Sequence, residues 1–160
     1  MVRMIVQGLT IDPDTNSPIL ILKDPEGEHT LPIWIGLLEA TAIASELEKV
    51  KFSRPMTHDL LRNLTKEMGY SVTKVEVTDL KDNTFYAVIH LLNPAGEIAV
   101  DSRPSDAIAL ALRAEAPIFV AKKVLERSGV TGKGESEDAE EKWKEMLEDM
   151  SPEDFGKYKM

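Results

Sequence analysis

Asp101-Ser102-Arg103-Pro104-Ser105-Asp106-Ala107-Ile108-Ala109-Leu110 is the stretch that decides the fold. Glu97 to Val100 reads as a short strand, and Ala107 to Arg113 is Ala/Leu-rich like a helix packed on a core. Pro104 suits a first helical position, where its missing N–H is no loss. The run therefore takes a strand directly into a helix from about Pro104 to Ala114. It also gathers two carboxylates, two hydroxyls and a guanidinium at the junction, more polar chemistry than a cap requires. On that helix Arg103, Asp106, Leu110 and Arg113 fall near one face. Free backbone N–H groups and the helix dipole make such a start a ready anion site.

Working outward, the chain repeats one plan. Val2 to Ile11 alternates as a strand, Asp12 to Asn16 is a turn, Pro18 to Lys23 a second strand, and Thr30 to Ile35 a third. A helix follows Gly36, with Leu37, Ala40, Ile43, Ala44 and Leu47 apolar. Ser53-Arg54-Pro55 opens another helix, whose spacing predicts Leu60, Leu61, Leu64 and Met68 as its buried face, ended by Gly69. Ser71 to Thr78, Phe85 to Leu92 and Glu97 to Val100 are three more strands, again followed by a helix. Pro117 to Val120 is a last short strand and Ala121 to Arg127 a short helix. Three strands and a helix, twice, predict an α+β fold. Two β3α-like repeats would form a mostly antiparallel sheet curled toward an open barrel, with the helices packed on it.

Residues 1–127 read as the domain and 128–137 as a linker with Gly129, Gly132 and Gly134. Residues 138–160 read as an acidic amphipathic helical tail, with Trp143, Met146, Leu147 and Met150 at i, i+3, i+4 and i+7. This tail is expected to dock on its own domain or a sister subunit.

The 160 residues contain no cysteine, which excludes disulfides, thiolate zinc sites and cysteine nucleophiles. With three histidines, any metal site leans on carboxylates and favours hard cations. The net charge of −9 speaks against a general nucleic-acid binder. Of that charge, −5 lies from Ser128 onward (ten acidic, five basic residues), leaving −4 for the body. No apolar run nears the roughly 20 residues that span a bilayer, so a soluble cytoplasmic protein without membrane contact is expected.

Three motifs in order carry a resemblance: Leu31-Pro32-Ile33-Trp34-Ile35-Gly36 with Glu39, Arg54-Pro55-Met56-Thr57-His58-Asp59-Leu60, and Asp101 through Leu110. Their words and spacing resemble the bifunctional nuclease domain family over residues 1 to about 127. The resemblance implies a compact, usually dimeric α+β domain with DNase and RNase activity, and hence a nucleic-acid substrate and a homodimer.

Phosphodiester hydrolysis needs an activated water, charge stabilisation at the phosphoryl oxygens and help for the leaving oxygen. In that light Asp101, Asp106 and Glu39 are the candidate ligands of Mg²⁺ or Mn²⁺. Arg54, Arg103, Ser102 and Ser105 are the candidate phosphate-binding groups. His58, Asp59 and Asp106 are the candidate catalytic groups, His58 as acid or base. Several have a structural alternative: Ser102 as a cap, Arg103 or Arg113 paired with Asp106, His58 bonded to a nearby carbonyl or carboxylate, Asp59 and Glu39 as ordinary first-turn acids. Trp34 suits packing or a dimer contact. The alternative to a nuclease is a non-catalytic module that holds a phosphate-bearing ligand or a protein partner in a structural charged cleft.

Overall fold

The computed structural model describes residues 1–131, and the predicted tail at 138–160, with most of the linker, lies outside them. The first repeat is β1 (Val2–Ile11), β2 (Pro18–Lys23), β3 (His29–Trp34) and α1 (Leu37–Leu47). After α2 (Thr57–Glu67), the second is β4 (Ser71–Lys81), β5 (Thr84–Asn93), β6 (Gly96–Ser102) and α3 (Pro104–Ala114). The chain continues through β7 (Ile118–Val120), α4 (Lys122–Ser128) and β8 (Val130–Thr131).

One eight-stranded sheet runs β6-β5-β4-β7-β1-β2-β3-β8. Each repeat is an antiparallel meander, and β7 joins them, antiparallel to β1 and parallel to β4. β1 serves both halves: Val2–Met4 pair with β7, and Ile5–Ile11 with β2. A bulge between Val6 and Gly8 shifts its register with β2 just beyond that switch. Among the described residues the sheet stays open, with β6 and β8 as its edges, and does not close into a barrel. Asp82 and Asn83 both take positive φ, as a two-residue hairpin loop between β4 and β5 requires. The Val130–Thr131 strand pairs with His29 and Thr30, so the chain is still part of the sheet past Ser128.

The core lies between one face of the sheet and α1, α3 and α4. Leu20, Leu22, Leu31, Ile33, Val75 and Val77 meet Ile43, Ile108, Val124 and Leu125 there. Each fully buried aliphatic side chain of this kind contributes roughly 1.5–3 kcal/mol. α3 is the central helix, with eight of its 11 residues buried.

α2 corrects the sequence expectation twice. It begins at Thr57 rather than at Ser53-Arg54-Pro55, because the Met56 N–H donates to Asp59 Oδ2 and fixes the first turn there. Its leucine face is also not buried: Leu60, Leu61, Leu64 and Met68 are 40–66% exposed. His58 is instead buried, and Asp59 and Arg62 reach toward α3. The polar side of this helix docks, and the apolar side faces out.

Candidate active site

α1 and α3 pack on each other, and α2 packs on α3, so three helices surround one cleft. The N-cap of α1 is Gly36 and that of α3 is Arg103, which puts an acid third in each helix: Glu39 and Asp106. Position three of a helix favours a carboxylate through the dipole and the free N–H groups. Gly36 leaves open the space that Glu39 fills. A Cβ there would collide with the Glu39 carboxylate, which folds back over the start of its own helix.

Four groups of the cleft form a continuous chain. His58 Nε2 lies 2.9 Å from Asp106 Oδ1. Arg103 Nε donates to Asp106 Oδ2 at 2.8 Å. Arg103 Nη2 stands 2.9 Å from Glu39 Oε1. Burial pushes the Asp106 carboxyl up, but hydrogen bonds from Arg103 and His58 and their charge outweigh it, and its pKa ends below the ordinary carboxylate value. The Arg103 side chain is 65% exposed, so the guanidinium is held between two carboxylates yet open to a ligand. The cleft holds about 380 Å³, with Leu38, Phe52 and Met56 as its apolar rim.

A second, buried arginine lines its inner wall. Arg113 Nε donates to Asp59 Oδ1 at 2.8 Å, Nη1 to the Ala109 carbonyl and Nη2 to the Ala42 carbonyl. Its side chain is 2% exposed. This residue ties all three helices together. For Asp59, burial raises the pKa, whereas the Met56 N–H and Arg113 lower it further, so the net shift is downward.

A family model described as the bifunctional nuclease domain matches residues 20–133. The chain belongs to this family. An uncharacterized protein of Mycobacterium tuberculosis is 42% identical over 94% of this chain and 95% of its own length. A rice protein named bifunctional nuclease 1 is 28% identical over 69% of the chain, and one of that name in Arabidopsis thaliana is 29% identical over 71%. The chain spans only about a third of those plant proteins, 35% and 36%.

Within this bifunctional nuclease domain, Glu39, His58, Arg103 and Asp106 meet. The other residues singled out from sequence do not join them. Both Asp59 oxygens are taken, one by Arg113 and one by the Met56 N–H, which makes Asp59 an anchor for α2. Arg54 lies on a neighbouring groove with Lys51 and Arg62. The Ser102 hydroxyl donates to the Arg103 carbonyl instead of capping α3, and Ser105 is buried in the helix. Asp101 pairs with Val88, so strand alternation puts it on the face away from the core residues Ala87 and Val75. Trp34 stands exposed and donates its indole N–H to Asp12.

Asp101, Asp106 and Glu39 therefore do not form one ligand set, and the gap between Asp106 and Glu39 is filled by Arg103, a cation already. The donor set does not fit the three-carboxylate ion expected of it. Among the described residues, the grouping with ligand atoms within 4.8 Å of one another is Asp24, Glu28 and His29. It sits at the start of β3, at the opposite end from the turn into α1, and is not part of this cleft. No helix of the described residues is long and apolar enough to cross a membrane.

Two contributors to the site are not evident from sequence: Arg113 as the partner of Asp59, and Gly36. The first had a signal in the Asp59 and Arg113 charges. The second had none, because the collision exists only once Glu39 folds back.

Proposed function

We propose that this domain cleaves phosphodiester bonds of DNA or RNA in the cleft between α1, α2 and α3. The observation that carries the reading is Arg103, an open guanidinium held between Glu39 and Asp106 and one carboxylate away from His58. Its planar fork suits two phosphoryl oxygens. Asp106 holds His58 by Nε2 and leaves Nδ1 as the atom that exchanges a proton, the arrangement of an oriented general base.

In this proposal a scissile phosphate displaces part of the Arg103 pairing and is gripped by the guanidinium. The attacking oxygen, a water or a ribose 2′-hydroxyl, passes its proton to His58 Nδ1. Phosphorus gains the new P–O bond and loses the bond to the leaving oxygen. The imidazolium, stabilised by Asp106, returns the proton to that oxygen. Arg103 carries the added charge on the phosphoryl oxygens. No step is routed through a divalent ion. Arg54, on the groove beside the cleft, would follow the nucleic-acid backbone.

The names of the plant relatives support this reading, and so does the family's own description. We further propose a homodimer. Among the described residues β6 has an unpaired edge, with Ile98 and Val100 exposed, which suits pairing with a second copy.

The test is a time course on single-stranded RNA and DNA oligonucleotides with Mg²⁺, with Mn²⁺ and with chelator. Cleavage that survives chelation and disappears in His58→Ala supports the scheme. Cleavage that chelation abolishes overturns its metal-free step. A second reading is favoured by the pairing of Arg103 with both cleft carboxylates: the cleft binds a phosphate-bearing ligand without turnover. Oligonucleotide binding that depends on Arg103 with no product formed would support that reading.

A further inference from the structure

The exposed face of α2 has no partner within the described domain. Met56, Leu60, Leu64 and Met68 recur every four residues along it with Leu61 alongside, and all are 40–66% exposed. The same stretch is basic: Lys49 to Met68, apart from Asp59 and Arg62 turned toward α3, holds four basic residues and one acidic, in a body whose net charge is −4. Contiguous apolar surface of this kind on a soluble domain marks an interaction site.

We propose that this chain's own acidic segment, from Asp138 to Asp154, docks along that face. Its Trp143, Met146, Leu147 and Met150 repeat at helical spacing over seven residues, which as a helix would span about 10 Å, against about 12 Å from Leu60 to Met68. The charges complement: the segment from Ser128 onward carries −5, the basic stretch +3. A second copy of α2 would bring like charge to like. A nucleic-acid backbone would match the charge but leave the apolar stripe in water. The twelve residues from Thr131 to Trp143 reach about 40 Å when extended, about the width of a domain of this size.

The match to the mycobacterial protein covers 94% of 160 residues, about 150, so it leaves out about ten and takes in the Trp143–Met150 stripe. The plant matches, at 69–78% of the chain, cover much less. Met56 belongs both to the stripe and to the cleft rim, so the docked segment would border the cleft.

The absence of cysteine gives a clean test. Leu64 and Leu147 lie near the middle of their stripes, so a disulfide between Leu64→Cys and Leu147→Cys reports docking in either direction. Its formation requires Cα atoms within about 7 Å. Mild oxidation should convert most of the double variant to a faster-migrating single chain, equally at high dilution. The control pair Thr73→Cys with Leu147→Cys, with Thr73 exposed on β4, should stay reduced. No disulfide, disulfides only between chains, or equal reaction of the control overturns the proposal. Independently, in a Trp34→Phe background Trp143 is the sole indole, and its emission should be blue-shifted and move to the red on Leu64→Glu. Emission of a water-exposed indole in both proteins would contradict docking.

Discussion

His58 and Asp106, 48 residues apart in the chain, meet at 2.9 Å across the α2–α3 contact. Asp106 spends its second oxygen on Arg103. One carboxylate thus orients both the group proposed to move a proton and the group proposed to grip phosphate.

Asp106→Asn keeps the size of the side chain and removes its charge. It should lower kcat about 10²-fold or more, the scale of a lost acid–base arrangement. Steady-state cleavage rates beside a melting curve would check this, and the melting temperature should change little by comparison.

Arg103→Lys keeps the charge but loses the fork that spans Glu39 and Asp106. Loss of one charge-assisted hydrogen bond to phosphate, worth about 1.5–3 kcal/mol, predicts a rise in KM of about tenfold or more. A KM unchanged from wild type would remove Arg103 from substrate binding.

Arg113→Met should destabilise the domain by about 3 kcal/mol, because it strands Asp59 and two helix carbonyls that the guanidinium serves. Denaturant midpoints measure the loss. Gly36→Ala is the contrasting case. The added Cβ displaces the flexible end of Glu39, so stability should barely move while KM shifts through the lost Glu39–Arg103 pair.

The carboxylates of Asp59 and Asp106 are both depressed below their ordinary value of 3.8 in the folded state. Unfolded, they bind protons more readily than folded. Their stabilising contribution is therefore fully present above about pH 4 to 5 and is lost as pH falls through the depressed folded values. Denaturant midpoints between pH 6 and pH 2.5 should fall, and Asp59→Asn should flatten part of that fall.

Much of this arrangement was legible in sequence. Pro104 and the Ala/Leu run fixed the limits of α3, and the repeated three strands and helix appear as two meanders flanking β7. Glu39, His58, Arg103 and Asp106 were singled out and do meet. α2 lies the other way round from its pattern, because the spacing of Leu60, Leu61 and Leu64 identifies an apolar face but not its partner. The deciding partner is Arg113, whose buried guanidinium draws Asp59 toward α3. Asp101 is near Asp106 in the chain, but strand alternation sends it to the other face of the sheet.

The most direct test compares cleavage of a single-stranded RNA by wild type, His58→Ala and Asp106→Asn at matched concentration, with folding verified for each by circular dichroism. The account predicts cleavage by wild type and its loss in both variants, with unchanged secondary structure. Equal cleavage by all three would contradict a His58–Asp106 active site.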